Sequence, residues 1–239
     1  ELLNAVDVQQ MHVEKIYLWA GKQTLEQMPE RDWLIKVNPP ALDGSIWRRI
    51  WWQISSLSAA AKEAQCDILL VPGGSYVGSF HPVVTMSQNL FPFEWSAIAK
   101  NGWSIRALKF LVLRLVQSSS FRRSDGVIFL TQYAKRSVLR ITGPLKGACT
   151  VIGHGLNPRF AYQAKTQLPM SHYSEQTPFK LLYVSMVDVY KNQPQVVLAV
   201  DALRKKGYPL SLTLVGPSEP RALEQLQAVA KQADPQGAW

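Results

Sequence analysis

The sequence predicts an α/β protein built on parallel sheets. Two observations predict it. Short apolar runs bounded by turn residues alternate with segments of helical period along the chain, which is the pattern of strands joined by crossover helices. The alternation stops in the polar, aperiodic stretch 161–178 (AYQAKTQLPMSHYSEQTP) and then restarts. The chain therefore reads as a first domain over 1–160, a linker over 161–178 and the start of a second domain over 179–239.

In order, 16–20 (IYLWA) and 34–37 (LIKV) read as short strands in an otherwise irregular stretch 1–45. Residues 46–65 read as one helix, with Trp47, Ile50, Trp51, Ile54, Leu57 and Ala61 on a single apolar face. The run 67–71 (DILLV) is a buried strand stopped by Pro72-Gly73-Gly74, and 82–86 (PVVTM) is another. A helix over 105–117 has only a narrow polar stripe of Arg106, Lys109, Arg114 and Gln117, and a helix that apolar belongs inside a domain. The strand 125–130 (DGVIFL) leads to Thr131, a helix cap, and the helix runs to about Ile141 before Gly143-Pro144. Strand 149–152 (CTVI) precedes Gly153-His154-Gly155. After the linker come a strand over 179–185, a helix over 193–206 with Pro194 in its first turn, a strand over 210–215 and a helix over 218–232. These form one right-handed β-α-β unit plus a helix.

The chain has 239 residues, long for one domain and short for two at about 100–200 residues each. It starts at Glu1 and ends in Ala-Trp directly after a helical pattern. The expectation is a piece of a longer protein, whose partial second sheet exposes an edge and is poorly stable alone. With 47% apolar and 18% charged residues, intrinsic disorder is excluded. No run reaches the roughly 18–20 apolar residues of a membrane helix; the best, 110–116, is cut by Arg114. Cys66 and Cys149 form no CxxC, and His12, His81, His154 and His172 are scattered, which argues against a disulfide scaffold and a zinc site. The formal charge of +9 is either a solvated surface or an attraction for anions. No nucleic-acid-binding motif accompanies it, so nucleic acid is not an expected partner.

Three segments have the composition of a site. Met186 to Asn192 follows a strand and places Lys191 just before a helix N-terminus, which suits a phosphate; a solvated loop lysine is the plainer reading. Gly153, His154 and Gly155 end a strand, and the two glycines allow a tight turn near a ligand; they equally allow a bent exit from the domain. Gly73 and Gly74, with Gln88, Asn89 and Glu94 beyond the next strand, gather amide and carboxylate groups beside aromatics. That composition suits a polyhydroxy ligand, and also a turn with its capping residues.

These residues also carry a resemblance. VIGHGLNPRF at 151–160 resembles the segment that ends the first domain of retaining GT-B glycosyltransferases of family 4. LLYVSMVDVYKNQPQVVLAVDALRKKGYPLSLTLVGP resembles the opening β-α-β of their donor-binding domain. DILLVPGG, VVTMSQNLFPFE and SDGVIFLTQYAKRSV resemble the first domain of the bacterial polysaccharide and lipopolysaccharide branch. The likeness runs from about Ile46 onward, carried by the order and spacing of the motifs.

The resemblance implies two Rossmann-like, doubly wound domains of GT-B type, the second truncated. It implies a hexosyltransferase that moves a sugar from a nucleotide-sugar to a hydroxyl of a growing glycan or lipid-linked saccharide. It implies no cofactor beyond that substrate and, with no Asp-x-Asp motif present, no essential metal. Lys191 takes the place of the family lysine that neutralises the donor diphosphate, beside Ser185 and Asn192, and Gly216-Pro217 matches the turn near the nucleotide. Gly153, His154 and Gly155 would border the interdomain cleft. Gly73, Gly74, Gln88, Asn89 and Glu94 would lie on the acceptor side. Met186 stands where an arginine is usual, Asn192 and Ser185 where glycines are usual, and Ser87-Gln88-Asn89 carries no histidine. Those departures keep a binding or scaffold protein without catalysis as a rival, along with an epimerase or phosphorylase of the same fold. The expected location is cytoplasmic, with a possible peripheral site on the membrane face. There Trp52, flanked by Arg48 and Arg49, is either an interfacial residue or one covered by a neighbouring loop.

Overall fold

Short β-branched and leucine-rich runs separated by turns pair here as parallel strands, most of them joined by a helix and β3 to β4 by a loop. The computed structural model describes residues 2–99, 105–157 and 160–237. Pro158 and Arg159 of the 151–160 segment, and the side chain of Arg106, lie outside the described residues. The chain divides into two compact units, 1–155 and 156–239.

In the first unit a short helix α1 (Leu2–Ala5) precedes β1 (Ile16–Trp19), α2 (Lys22–Glu26) and β2 (Leu34–Val37). β1 and β2 pair in parallel. Then follow α3 (Ile46–Ser55), α4 (Leu57–Glu63), β3 (Leu69–Val71), β4 (Val83–Ser87), α5 (Trp95–Ala99), α6 (Ile105–Arg123), β5 (Gly126–Phe129), α7 (Gln132–Thr142) and β6 (Ala148–Val151). β3 to β6 form a four-stranded parallel sheet in sequential order. The α/β class with parallel sheets is therefore as the sequence predicts.

Two apolar clusters hold this unit. Leu57, Ala61, Leu69, Val71, Tyr76, Phe80 and Val83 form one, and Phe93, Phe121, Val127, Phe129 and Val138 the other. Phe121 and Phe129 are fully buried, each contributing about 2–3 kcal/mol of transfer free energy. Several polar groups between sheet and helices are paired. Ser58 Oγ and Tyr76 Oη lie 3.1 Å apart, and both accept from the Phe80 N–H. Tyr76 N–H donates to Ser120 Oγ.

Two helices differ from expectation. The single helix over 46–65 is broken at Ser56, whose φ of −119° leaves the helical range. Its apolar face is also turned outward. Trp47 is 77% exposed and Trp51 71%, and Ile46, Ile50 and Ile54 are exposed with them. The opposite side faces the protein: Trp52 packs against the first cluster, and Gln53 Nε2 donates to the Ser75 carbonyl at 3.1 Å. Trp52 is thus a packing residue, and the interfacial reading of it falls. Likewise α6 carries exposed Ile105, Leu108, Leu111, Val112 and Leu115, so it is not the enclosed helix its composition predicts. Its buried side is supplied by Ala107, Gln117, Ser118, Ser120 and Phe121.

The second unit has β7 (Phe179–Val184), α8 (Gln193–Arg204), β8 (Leu210–Val215) and α9 (Pro220–Ala233). β7 and β8 pair in parallel over six residues. Both helices pack on one side, where Val187, Val197, Ala222 and Leu226 form the core. Leu182, Val184 and Val215 are exposed.

Candidate functional site

Ligands of open parallel sheets sit where loops leave the carboxyl ends of the strands. In the second unit two such loops run side by side. Ser185 N–H donates to the Val215 carbonyl (2.9 Å), Val187 N–H to Pro217 (2.8 Å) and Glu219 N–H to Val187 (3.0 Å). Gly216 has φ +150°, and a Cβ there would run into the Ser185 carbonyl. The structure therefore brings Ser185 and Gly216-Pro217 together.

Past Asp188 the first loop closes in a 3-10 turn, Val189–Lys191. Gln193 Nε2 donates to the Met186 carbonyl at 2.8 Å, Tyr183 Oη to the Lys191 carbonyl at 2.7 Å, and Lys191 N–H to the Asp188 carbonyl at 2.9 Å. The backbone that carries Lys191 is thus held to the strand before it and the helix after it. Asn192 adopts φ 57°, ψ 28°, the left-handed region that asparagine enters more readily than other non-glycine residues. Asparagine in place of the usual glycine keeps the conformation.

Lys191 Nζ lies 5.1 Å from the Tyr190 ring centroid, and among the described residues it has no carboxylate in ion-pair reach. Met186 is exposed and apolar, so the loop offers a single ammonium. The two helix starts here differ. Glu219 Oε2 accepts from the Ala222 N–H at 2.9 Å, which already places a carboxylate at the positive end of α9. Asn192 makes no side-chain cap on α8. An external anion is therefore better accommodated at α8, beside Lys191. Tyr183, Gln193 and Glu219 were not singled out in the sequence. No sequence signal marks Gln193, whose burial appears only in the structure.

In the first unit the acceptor-side candidates each make their own local contacts. Gly74, at φ +70°, lies against β4 and α6, where a Cβ would meet Met86 O at 3.0 Å and the Phe121 ring at 3.3 Å. The Gly73 carbonyl accepts a long bond of 3.4 Å from Gln117 Nε2. Among the described residues, the buried Ser87 hydroxyl at the end of β4 has no partner, and neither do Gln117 Oε1 and Ser118 Oγ. Gln88 Nε2 donates to the Met86 sulfur at 3.3 Å, in an exposed position. Asn89 Oδ1 accepts from the Phe91 N–H at 3.0 Å and so acts as a turn cap. Glu94 Oε1 accepts from Tyr133 Oη at 2.8 Å, on a different element.

Gly153, His154 and Gly155 are exposed beyond β6. Neither glycine has a positive φ, and a Cβ at either would meet nothing within 4 Å among the described residues. The tight turn expected of them is not what their backbone adopts. Among the described residues, no helix is long and apolar enough to cross a membrane. No protein-family model matches the chain, and no curated protein sequence matches it.

Proposed function

We propose that the chain belongs to a GT-B glycosyltransferase. It moves a sugar from a nucleotide-sugar to a hydroxyl of a growing glycan or lipid-linked saccharide, at the cytoplasmic face of a membrane. The observation that carries this reading is the pair of loops at the carboxyl edge of β7 and β8. One presents Lys191 at the uncapped start of α8, and the other packs Gly216 against Ser185. An ammonium and a helix N-terminus held on a rigid loop stabilise a diphosphate, both bound and as a leaving group.

The chemistry asked of these residues is electrostatic. Lys191 offsets charge that grows on the bridging oxygen as the sugar–phosphate bond breaks, and the fixed loop does so without reorganising. The test is Lys191→Ala in the full-length protein. Affinity for UDP-, GDP- or ADP-sugar is expected to fall at least tenfold, with free nucleotide and glycoside as the wild-type products. Unchanged affinity and turnover overturn the assignment. A second reading, a GT-B protein that binds without catalysis, draws on Met186, where the loop lacks a second cation.

The membrane partner rests on α3 rather than on Trp52. Its outward face presents Trp47, Trp51, Ile50 and Ile54, with exposed Arg48 and Arg49 beside them and no acidic residue in the helix. Tryptophans and isoleucines flanked by arginines fit an anionic lipid surface.

A further inference from the structure

We propose that the cleft between α6 and α7 holds the acidic group of a saccharide, a carboxylate or phosphate carried on a sugar ring. The cleft has a volume of about 520 Å³ and is lined by Glu94, Trp95, Arg114, Tyr133, Ser137 and Arg140 among others. That volume lies within the roughly 300–1,000 Å³ of small-molecule sites.

The decisive group is Arg114. Its guanidinium carbon sits 4.1 Å from the centroid of the Trp95 ring, so its orientation is set by the indole. Its Nη1 is buried and has no hydrogen-bond partner among the described residues. A buried, charged donor left unpaired is costly, and an anionic oxygen is the acceptor that relieves it most. The only carboxylate lining the cleft among the described residues is Glu94, and it is engaged by the Tyr133 hydroxyl at 2.8 Å. No ion pair joins it to Arg114 or Arg140 among the described residues. Arg140, exposed at the rim on α7, adds a second cation. Two guanidinium groups against one engaged carboxylate leave a net positive lining.

The remaining lining identifies what carries the anion. Trp95 and Tyr133 are both exposed and offer aromatic surface for the C–H face of a sugar ring. Glu94, the Tyr133 hydroxyl and Ser137 offer acceptors and donors for ring hydroxyls. The location also fits: Trp95 follows β4 and Tyr133 opens α7 after β5, both beyond carboxyl ends of adjacent parallel strands. As the acceptor site of a glycosyltransferase this rests on the function proposed above; as a binding site it stands on Arg114 and the cleft alone.

The experiment is calorimetric titration of the full chain with glucuronic acid, glucose 6-phosphate, glucose and inorganic phosphate. At least one sugar acid is expected to bind tenfold or more tightly than glucose and than inorganic phosphate; which acid binds better identifies the anionic group. Arg114→Met is expected to lower that affinity at least tenfold. Because Arg114 is partly buried, Arg140→Gln serves as the second variant: it should melt like the wild type and bind several-fold more weakly, with a shallower salt dependence. Glucose binding as well as the acids, inorganic phosphate binding as well as the sugar acids, or both variants binding like the wild type overturns the proposal. Titration with UDP separates the two readings. Loss of donor binding in Lys191→Ala with sugar-acid binding intact leaves both standing. Unchanged donor binding in that variant sinks the transferase assignment and leaves this site intact.

Discussion

Gly216 lies so close to Ser185 that its missing side chain is a structural requirement: a Cβ would overlap the Ser185 carbonyl, and φ at +150° disfavours any L side chain. The contact locks the loop after β8 to the loop after β7. Gly216→Ala is therefore expected to destabilise the second unit by about 2–4 kcal/mol, combining backbone strain with forced loop separation. Chemical denaturation followed by signals from each unit checks this. Loss of stability confined to 156–239 is the expected result, and a wild-type curve refutes the contact.

Asn192 tests the same loop from the other side. Its left-handed backbone predicts that Asn192→Gly is tolerated within about 1 kcal/mol. A β-branched residue is strained there, so Asn192→Val should cost roughly 1–2 kcal/mol. Nucleotide affinity should follow the same order, because the residue sets the direction of the chain between Lys191 and α8. Equal affinity in all three proteins would show that the loop conformation does not matter for binding.

The strands were legible because each is a short apolar run with its own turn, as in LIKV, LLV and GVIF. Helical period told which residues of α3 share a face. It could not tell which way that face turns. The direction is decided by Trp52 in the core and by the bond from Gln53 to Ser75, 22 residues away, and neither contact leaves a local signature. The same holds for the site. Asn89 and Glu94 are neighbours in sequence, yet one caps a turn while the other reaches Tyr133 across 39 residues. The Lys191 loop was legible because parallel β-α-β geometry puts loops after adjacent strands on one edge, whereas Ser185 and Gly216-Pro217 were picked out only by the family resemblance.

Asp125 predicts a pH dependence of the first unit. Its carboxylate lies 2.7 Å from His81 Nδ1 and accepts from the Val83 N–H at 2.7 Å. The His81 hydrogen bond first, and then the Val83 amide, hold its pKa below the ordinary carboxylate value of 3.8. A depressed folded-state pKa means stability that is complete above the unfolded pKa and lost as pH falls through the folded one. The pair is half-exposed, so the effect is screened and small. Asp125→Asn should lower the melting temperature by a few degrees at most near neutral pH. The gap between variant and wild type should close as pH falls below about 4. A gap that stays constant from neutral pH to pH 2 would assign the effect to packing instead.

The outward face of α3 predicts binding to anionic vesicles. Trp47 and Trp51 each offer roughly 150–250 Å² of largely apolar surface, and their solvent exposure of 77% and 71% leaves most of it available. Each arginine near an acidic leaflet adds about 1 kcal/mol, or about fivefold in affinity. The full chain should sediment with phosphatidylglycerol vesicles and far less with phosphatidylcholine vesicles. Trp47→Ser with Trp51→Ser should reduce binding at least tenfold without lowering the melting temperature, since neither ring packs in the core. Arg48→Gln with Arg49→Gln should reduce binding to the acidic vesicles and remove most of its salt dependence. Trp52→Ala should do the reverse, lowering stability because Trp52 packs against the Leu57–Val83 cluster while leaving lipid affinity of the folded protein unchanged. Equal binding to both vesicle types would refute the electrostatic part. A concentration-dependent dimer abolished by the Trp47 and Trp51 substitutions, with no vesicle binding, would show that the face meets a second copy of the chain instead of lipid.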